Sequence, residues 1–281
     1  MRRNVVTTLI ALLVAAGVLL LGARWLEKAM LYHPIAALDG NPASAGMPFE
    51  DVTFTSSDGE TLHGWWIPAS VSPEQEDRAP ALLFFHGNAG NRSHRLHNLA
   101  GLHRAGIAVF IFDYRGYGGS TGTPGEEGLL QDGEAAFDWL RNKVGPRPIV
   151  MFGRSLGGGV AARVALTRPP VGLILESTLT NVPDMAVRVL PLPGVRRLVR
   201  SRLDALAAVR VLTVPLLVIH GEEDEIIPFA MGQTLFHEAA SPRKAFHPVP
   251  GGRHNDTYLG AGDDYYRWIV DFLEELKPPA Q

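Results

Sequence analysis

Gly153-Arg154-Ser155-Leu156-Gly157 is a G-x-S-x-G pentapeptide. At this spacing, two glycines let a strand turn sharply into a helix and lift the serine hydroxyl clear of the sheet. A serine hydroxyl is a poor nucleophile at neutral pH. It needs a base to take its proton and a buried acid to orient that base, in the chain order serine, acid, histidine. A base on a loop beyond the last strand points to His254, in Gly251-Gly252-Arg253-His254-Asn255-Asp256. His237 falls inside a helical stretch and His247 inside a short strand, so neither suits the role. Four carboxylates compete for the acid in His220-Gly221-Glu222-Glu223-Asp224-Glu225-Ile226-Ile227-Pro228. Asp224 is preferred on spacing, because it precedes the apolar pair that tucks the loop back. Glu222, Glu223 and Glu225 then read as solvated loop charges.

Attack on a carbonyl creates an oxyanion that needs preorganised N–H donors, one of them from the residue after the nucleophile, Leu156. The second is expected from Asn88, in the glycine-containing loop His86-Gly87-Asn88-Ala89-Gly90-Asn91. The rival reading of that loop, a phosphate cradle, lacks the lysine and hydroxyl of a P-loop. His86 and His220 each precede a glycine at a strand end and read as turn-shaping residues. The histidines form no H-E-x-x-H or other compact ligand set, and the chain has no cysteine, so neither a metal nor a cofactor is implied.

These residues need a scaffold. Asp51–Thr55 and Thr61–Ile67 read as strands joined by the turn Ser57-Asp58-Gly59. Short continuous apolar runs follow at Ala81–Phe85, Ala108–Phe112, Ile149–Phe152, Gly172–Leu175 and Pro215–Ile219, the pattern of parallel strands buried on both faces. Helical stretches lie between and after them, at Ser93–Ala105, Gly125–Lys143, Leu156–Thr167 and about 229–240 and 262–276, with a short strand around Ala245–Val249. The expected class is α/β, a mostly parallel sheet with helices on both faces. About residues 181–211 break the alternation: apolar residues interleave with Arg188, Arg196, Arg197, Arg200 and Arg202, and Pro191 and Pro193 divide the segment. This reads as a small helical cap.

The chain has 281 residues, 46% of them hydrophobic and 20% charged, which excludes a disordered or collagen-like protein. A formal charge of −3 gives no global attraction to nucleic acid, and no such partner is expected. Arg2 and Arg3 precede an uncharged run from Val5 to Gly22. At 1.5 Å per residue this run approaches the roughly 30 Å hydrocarbon core of a bilayer. A cleaved signal peptide would have a shorter apolar region and a better small-x-small site than Leu21-Gly22-Ala23, so residues 1–24 read as an uncleaved signal anchor. The positive-inside rule puts the N-terminus in the cytoplasm and the rest of the chain outside it, periplasmic or extracellular. Leu31-Tyr32-His33-Pro34 is expected at the membrane interface, residues 25–48 as a linker, and residues 49–281 as the folded domain.

Five ordered blocks together resemble the α/β-hydrolase superfamily and, within it, the membrane-anchored branch of depalmitoylase-like serine hydrolases. They are Phe85 to Asn91, Asp113-Tyr114-Arg115-Gly116-Tyr117-Gly118-Gly119-Ser120, Gly153 to Gly158, His220 to Asp224 and Gly252-Arg253-His254. The resemblance covers about residues 47–277 and implies that Ser155, Asp224 and His254 form a triad. It also implies that Asp113–Ser120 is a structural loop beside the site, and the Tyr32-His33-Pro34 segment resembles one that follows the anchor in such proteins. The Arg-rich cap departs from the pattern, and with it the substrate. The expected reaction is hydrolysis of a small-molecule or lipid acyl ester or thioester through an acyl-enzyme. Two alternatives stay open: an aminopeptidase or amidase with the same triad, and a catalytically silent, membrane-tethered binding protein.

Overall fold

The computed structural model describes residues 17–18, 21–72 and 79–277. Within them the strands are β1 (His33–Pro34), β2 (Glu50–Thr55), β3 (Thr61–Ile67), β4 (Ala81–Phe85), β5 (Ala89–Gly90), β6 (Ala108–Asp113), β7 (Ile149–Arg154), β8 (Gly172–Glu176), β9 (Leu216–Gly221) and β10 (Lys244–Val249). Eight of them form one sheet in the order β10-β9-β8-β7-β4-β6-β3-β2. The β2–β3 hairpin is antiparallel and β3 pairs antiparallel with β6, while every other neighbour is parallel. The continuous apolar runs fall on the parallel strands because both of their faces are covered.

Alternation along each strand divides the core in two. On one side Leu83, Phe85, Phe110, Phe112 and Met151 pack with Leu129 and Phe137 of α3 (Glu126–Val144) and Val160 of α4 (Leu156–Val164). On the other, Leu82, Phe84, Val109, Ile111 and Phe152 meet Leu99 and Leu102 of α2 (Leu96–Arg104) and Tyr265 and Ile269 of α10 (Asp263–Glu274). Each such side chain contributes about 1.5–3 kcal/mol by leaving water. This is the mostly parallel α/β sheet with helices on both faces expected from the apolar runs, and it agrees with the α/β-hydrolase fold that the resemblance implies.

Between β8 and β9 the chain forms α5 (Val182–Val189), α6 (Val195–Leu198) and α7 (Ala205–Val209). Asn181 starts α5 by accepting the Asp184 N–H at 2.8 Å, and the helix stops before Pro191. Glu126, at the first turn of α3, accepts the Leu203 N–H at 2.9 Å and ties this cap to the body. After β9 come α8 (Phe229–Glu238) and, past β10, α9 (Thr257–Gly260).

The N-terminal segment corrects the expectation of a linker over residues 25–48. Tyr32 is buried in the body of the domain, while His33 and Pro34 beside it are exposed. His33–Pro34 pairs in parallel with Ala89–Gly90, and the Asn91 side-chain amide donates to the carbonyls of Ile35 and Ala37 at 2.9 and 2.6 Å. Farther along, Pro42 and Met47 are buried. The physical reason is hydrogen-bond satisfaction: the loop after β4 exposes backbone groups that need partners, and this extended segment supplies them. The packed domain therefore starts at Tyr32 rather than near Phe49. Ahead of it, residues 21–31 form helix α1, whose Glu27 carboxylate accepts the N–H groups of Ser201 at 2.7 Å and Arg200 at 3.1 Å in the cap. Most of the expected anchor, residues 1–16 and 19–20, lies outside the described residues. No helix among the described residues is long and apolar enough to cross a membrane.

Candidate active site

β7 ends at Arg154 and α4 begins at Leu156, which leaves Ser155 alone to make the turn, at φ 56° and ψ −123°. This backbone is unfavourable for a residue with a Cβ and persists only where the surroundings enforce it. They do so here through close packing. A Cβ on Gly157 would run into the carbonyls of Phe85 and His86 at the end of β4, and one on Gly158 into the Thr178 side chain. The Ser155 N–H also donates to the Glu176 carbonyl at 2.9 Å.

Two loops from neighbouring strand ends meet this serine. His254, between β10 and α9, sits with Nε2 3.0 Å from Ser155 Oγ, and its Nδ1 lies 2.8 and 3.0 Å from the two carboxylate oxygens of Asp224. A proton on Nδ1 donates to that carboxylate, and Nε2 is then left to accept from the serine hydroxyl. Asp224 itself is held by the N–H groups of Ile226 and Ile227, at 3.0 and 2.7 Å to Oδ1. His220 stands behind it, with Nε2 3.0 Å from the Ile227 carbonyl and 3.4 Å from Asp224 Oδ2. Burial pushes the Asp224 carboxyl up, but hydrogen bonds from His220 and His254, the charge of His254 and the Ile227 N–H outweigh it. The net result is a carboxyl held well below the usual range.

The two expected oxyanion donors lie on the two segments that border the serine. Leu156 is the first residue of α4, so its N–H has no acceptor within the helix. Across from it runs the loop after β4: a Cβ on Gly87 would lie 3.3 Å from Ser155 Cβ and 3.8 Å from Oγ. The next residue, Asn88, is locked by its carbonyl, which accepts from the His33 N–H at 3.0 Å and the Tyr117 hydroxyl at 2.8 Å. Beneath that loop, Tyr114 donates to the His86 carbonyl at 3.2 Å. Asp113 binds the Arg92 guanidinium and, at 2.7 Å, the Arg92 N–H, and Arg92 lies over the Trp65 ring. Residues 113–117 thus brace the loop that carries Asn88.

One residue read as a solvated charge, Glu225, is exposed as read but also holds the loop of the base. Glu225 accepts the His254 N–H at 3.1 Å, and its carboxyl is lowered by backbone hydrogen bonds, including this one. The contact spans 29 residues between two loops, and no local pattern encodes it. Glu222 and Glu223 are exposed, as read. Tyr117 and His33 were also missed as supports of Asn88. The only signal for either was its presence in a block matched by resemblance.

The chain matches, over residues 76–204 and 194–257, the family described as serine aminopeptidase, S33. It is 36% identical over 269 residues to an uncharacterized protein of Mycobacterium tuberculosis strain H37Rv, covering 95% of this chain and 93% of that one. It is 36% identical to the α/β-hydrolase domain-containing protein WAV2 of Arabidopsis thaliana, over 95% of this chain and 92% of WAV2. For protein bem46 of Schizosaccharomyces pombe the identity is 37%, over 93% of this chain and 90% of bem46. Among solved structures, the Pyrococcus furiosus esterase Pf2001 superposes with a TM-score of 0.72 at 19% identity, covering 88% of this chain and 99% of the esterase. Est1E of Butyrivibrio proteoclasticus, solved with bound ferulic acid, superposes with a TM-score of 0.66 at 20% identity, over 80% of this chain and all of that one (100%).

Proposed function

The chain belongs to the α/β-hydrolase superfamily, and on that footing we propose that it is a serine hydrolase that cleaves a carboxylic ester or thioester through an acyl-enzyme on Ser155. The observation that carries this reading is the unbroken relay from Ser155 Oγ to His254 Nε2, 3.0 Å, and from Nδ1 to the Asp224 carboxylate, 2.8 Å. In the first half-reaction His254 takes the hydroxyl proton as Oγ bonds to the acyl carbon. The N–H groups of Leu156 and Asn88 meet the oxyanion, and the tetrahedral adduct collapses as His254 gives the proton to the departing alcohol or thiol. In the second, His254 deprotonates a water that attacks the acyl carbon, and Ser155 is released with its proton restored. Asp224 holds the Nδ1–H tautomer throughout.

One finding favours amide hydrolysis as a second reading, namely the aminopeptidase description of the matching family. A panel of p-nitrophenyl esters of increasing acyl length, run beside aminoacyl-anilides, separates the two. Ester turnover that disappears in Ser155→Ala is the expected result, and turnover of the anilides alone reverses the ranking.

We further propose that the enzyme belongs to the membrane-anchored, depalmitoylase-like branch and works at a bilayer. In this reading the run Val5–Gly22 is a signal anchor and the catalytic domain lies outside the cytoplasm. Support comes from the exposed apolar side chains of Trp25, Leu26 and Met30 on α1 and of Leu190, Leu192 and Leu198 on the cap, two regions joined through Glu27. The arginines among them suit anionic headgroups.

A further inference from the structure

We infer that Arg154 is a positioning residue of the active site: braced by Glu176, its guanidinium holds the backbone of His254 and so sets the reach of the imidazole to Ser155. The inference rests on the hydrolase reading and names a residue that reading does not use.

The relay contacts fix the two ring nitrogens of His254 but not the loop that carries them. That loop must be held independently, because a displacement of about 1 Å at a reacting group costs on the order of 100-fold in rate. The His254 backbone is gripped from two directions. Its N–H goes to Glu225 on the acid loop, which is largely exposed, and its carbonyl accepts from Arg154 Nη2 at 2.6 Å in the buried interior. Arg154 immediately precedes the nucleophile. Two consecutive residues of one strand end therefore determine where serine and base stand relative to each other.

Glu176 completes the device. It lies opposite Arg154 in the register of β7 and β8, with Oε1 3.3 Å from the Arg154 Nε. Its carboxylate also accepts from the hydroxyl of Thr257, three residues beyond His254, and from that of Tyr265 at 3.0 Å. The Tyr265 oxygen in turn accepts from the Asn98 amide at 3.2 Å. The His254–Thr257 loop is thus fastened at both ends, by Arg154 and by Glu176, and all of these groups are buried. Arginine suits the position because its rigid guanidinium aims Nη2 at the His254 carbonyl while its charge stays beside the Glu176 carboxylate, which a lysine ammonium on a flexible stem does not reproduce. Away from water, such bonds are stronger and the network stiffer.

Removing Arg154 alone would leave the Glu176 charge buried without its counterion, so the decisive variant is the neutral pair Arg154→Met/Glu176→Gln. In the full-length protein in detergent, with p-nitrophenyl butyrate as substrate, kcat should fall about 100-fold while KM stays within about twofold and thermal unfolding stays cooperative. Arg154→Lys, which keeps the positive charge and N–H donors for the His254 carbonyl, should recover about tenfold of that loss. A folded double variant with wild-type kcat, or a loss carried by KM alone, would overturn the inference. Should the double variant not fold, Thr257→Val removes one hydroxyl from the same network. It should lower kcat about fivefold, and unchanged turnover there counts equally against the role. A crystal structure of the double or the Thr257 variant separates this inference from the hydrolase reading. Nε2 moved out of hydrogen-bond reach of Oγ supports positioning even in a chain that hydrolyses nothing, and an unchanged separation refutes it.

Discussion

Two regions lie beyond the carboxyl ends of the parallel strands, and they are built on opposite principles. Around Ser155 the groups of the relay are held from several sides: Asp224 has four partners, His254 is held at both ring nitrogens and at its backbone N–H and C=O, and Asn88 is braced from two sides. The cap and α1 show the reverse. Trp25 is 72% exposed and Leu198 70%; Glu27 joins α1 to the cap, and few hydrogen bonds hold the cap to the body, chiefly those of Glu126 with Arg202 and Leu203 and of Arg210 with Glu238. A proton relay requires fixed distances, and buried, satisfied hydrogen bonds supply them. Apolar side chains left in water have no such role within the chain and suit a surface that takes up something apolar from outside.

If the division of labour is real, substitutions in the two regions should affect different observables. The largest effect should come from Ser155→Ala, with ester turnover down on the order of 10⁶-fold and an unchanged circular dichroism spectrum. Asp224→Asn should cost about 10⁴-fold in kcat, because the imidazole then loses the partner that selects its tautomer. That variant also has a pH signature. The Asp224 carboxyl is held below its ordinary value in the folded protein, so its stabilising contribution is complete above about pH 4 and is lost as the pH falls toward the folded value. Urea midpoints measured from pH 7 to pH 3 should therefore fall less steeply for Asp224→Asn than for the wild-type chain. Tyr117→Phe removes one bond to the Asn88 carbonyl and should lower kcat about fivefold, with KM little changed.

At the small end of the scale for chemistry stands the cap. Leu192→Ser/Leu198→Ser should leave p-nitrophenyl acetate turnover within about twofold, yet weaken binding to anionic phospholipid vesicles by about tenfold or more, since each leucine forfeits up to about 1.5–3 kcal/mol of apolar burial. Sedimentation with vesicles measures this. Equal binding of wild type and variant would break the comparison at its second half and leave the first intact.

The two regions also differed in how far the sequence alone revealed them. Strands β4, β6, β7, β8 and β9 are legible because burial on both faces demands continuous apolar runs, and the elbow is legible because Gly153 and Gly157 bracket a serine at a strand end. The three residues selected for chemistry meet within hydrogen-bonding distance. What escaped were contacts between backbone and distant side chains. His33–Pro34 carries no periodicity that marks a two-residue strand, so its pairing with Ala89–Gly90 was invisible and the segment read as linker. Glu225 differs from Glu222 and Glu223 only in where the loop happens to turn it. The cap was recognisable as an interruption of the alternating pattern, but its helices are too short for apolar spacing to predict their arrangement.

The central claim, that Ser155 is the group His254 activates, is tested most directly by covalent trapping. The full-length protein is incubated with a fluorophosphonate probe and the modified peptide is located by mass spectrometry. The account predicts a single adduct on Ser155, absent in Ser155→Ala and formed at least about 1,000-fold more slowly in His254→Ala. A folded protein that takes up no probe, or takes it up on another serine, would contradict it.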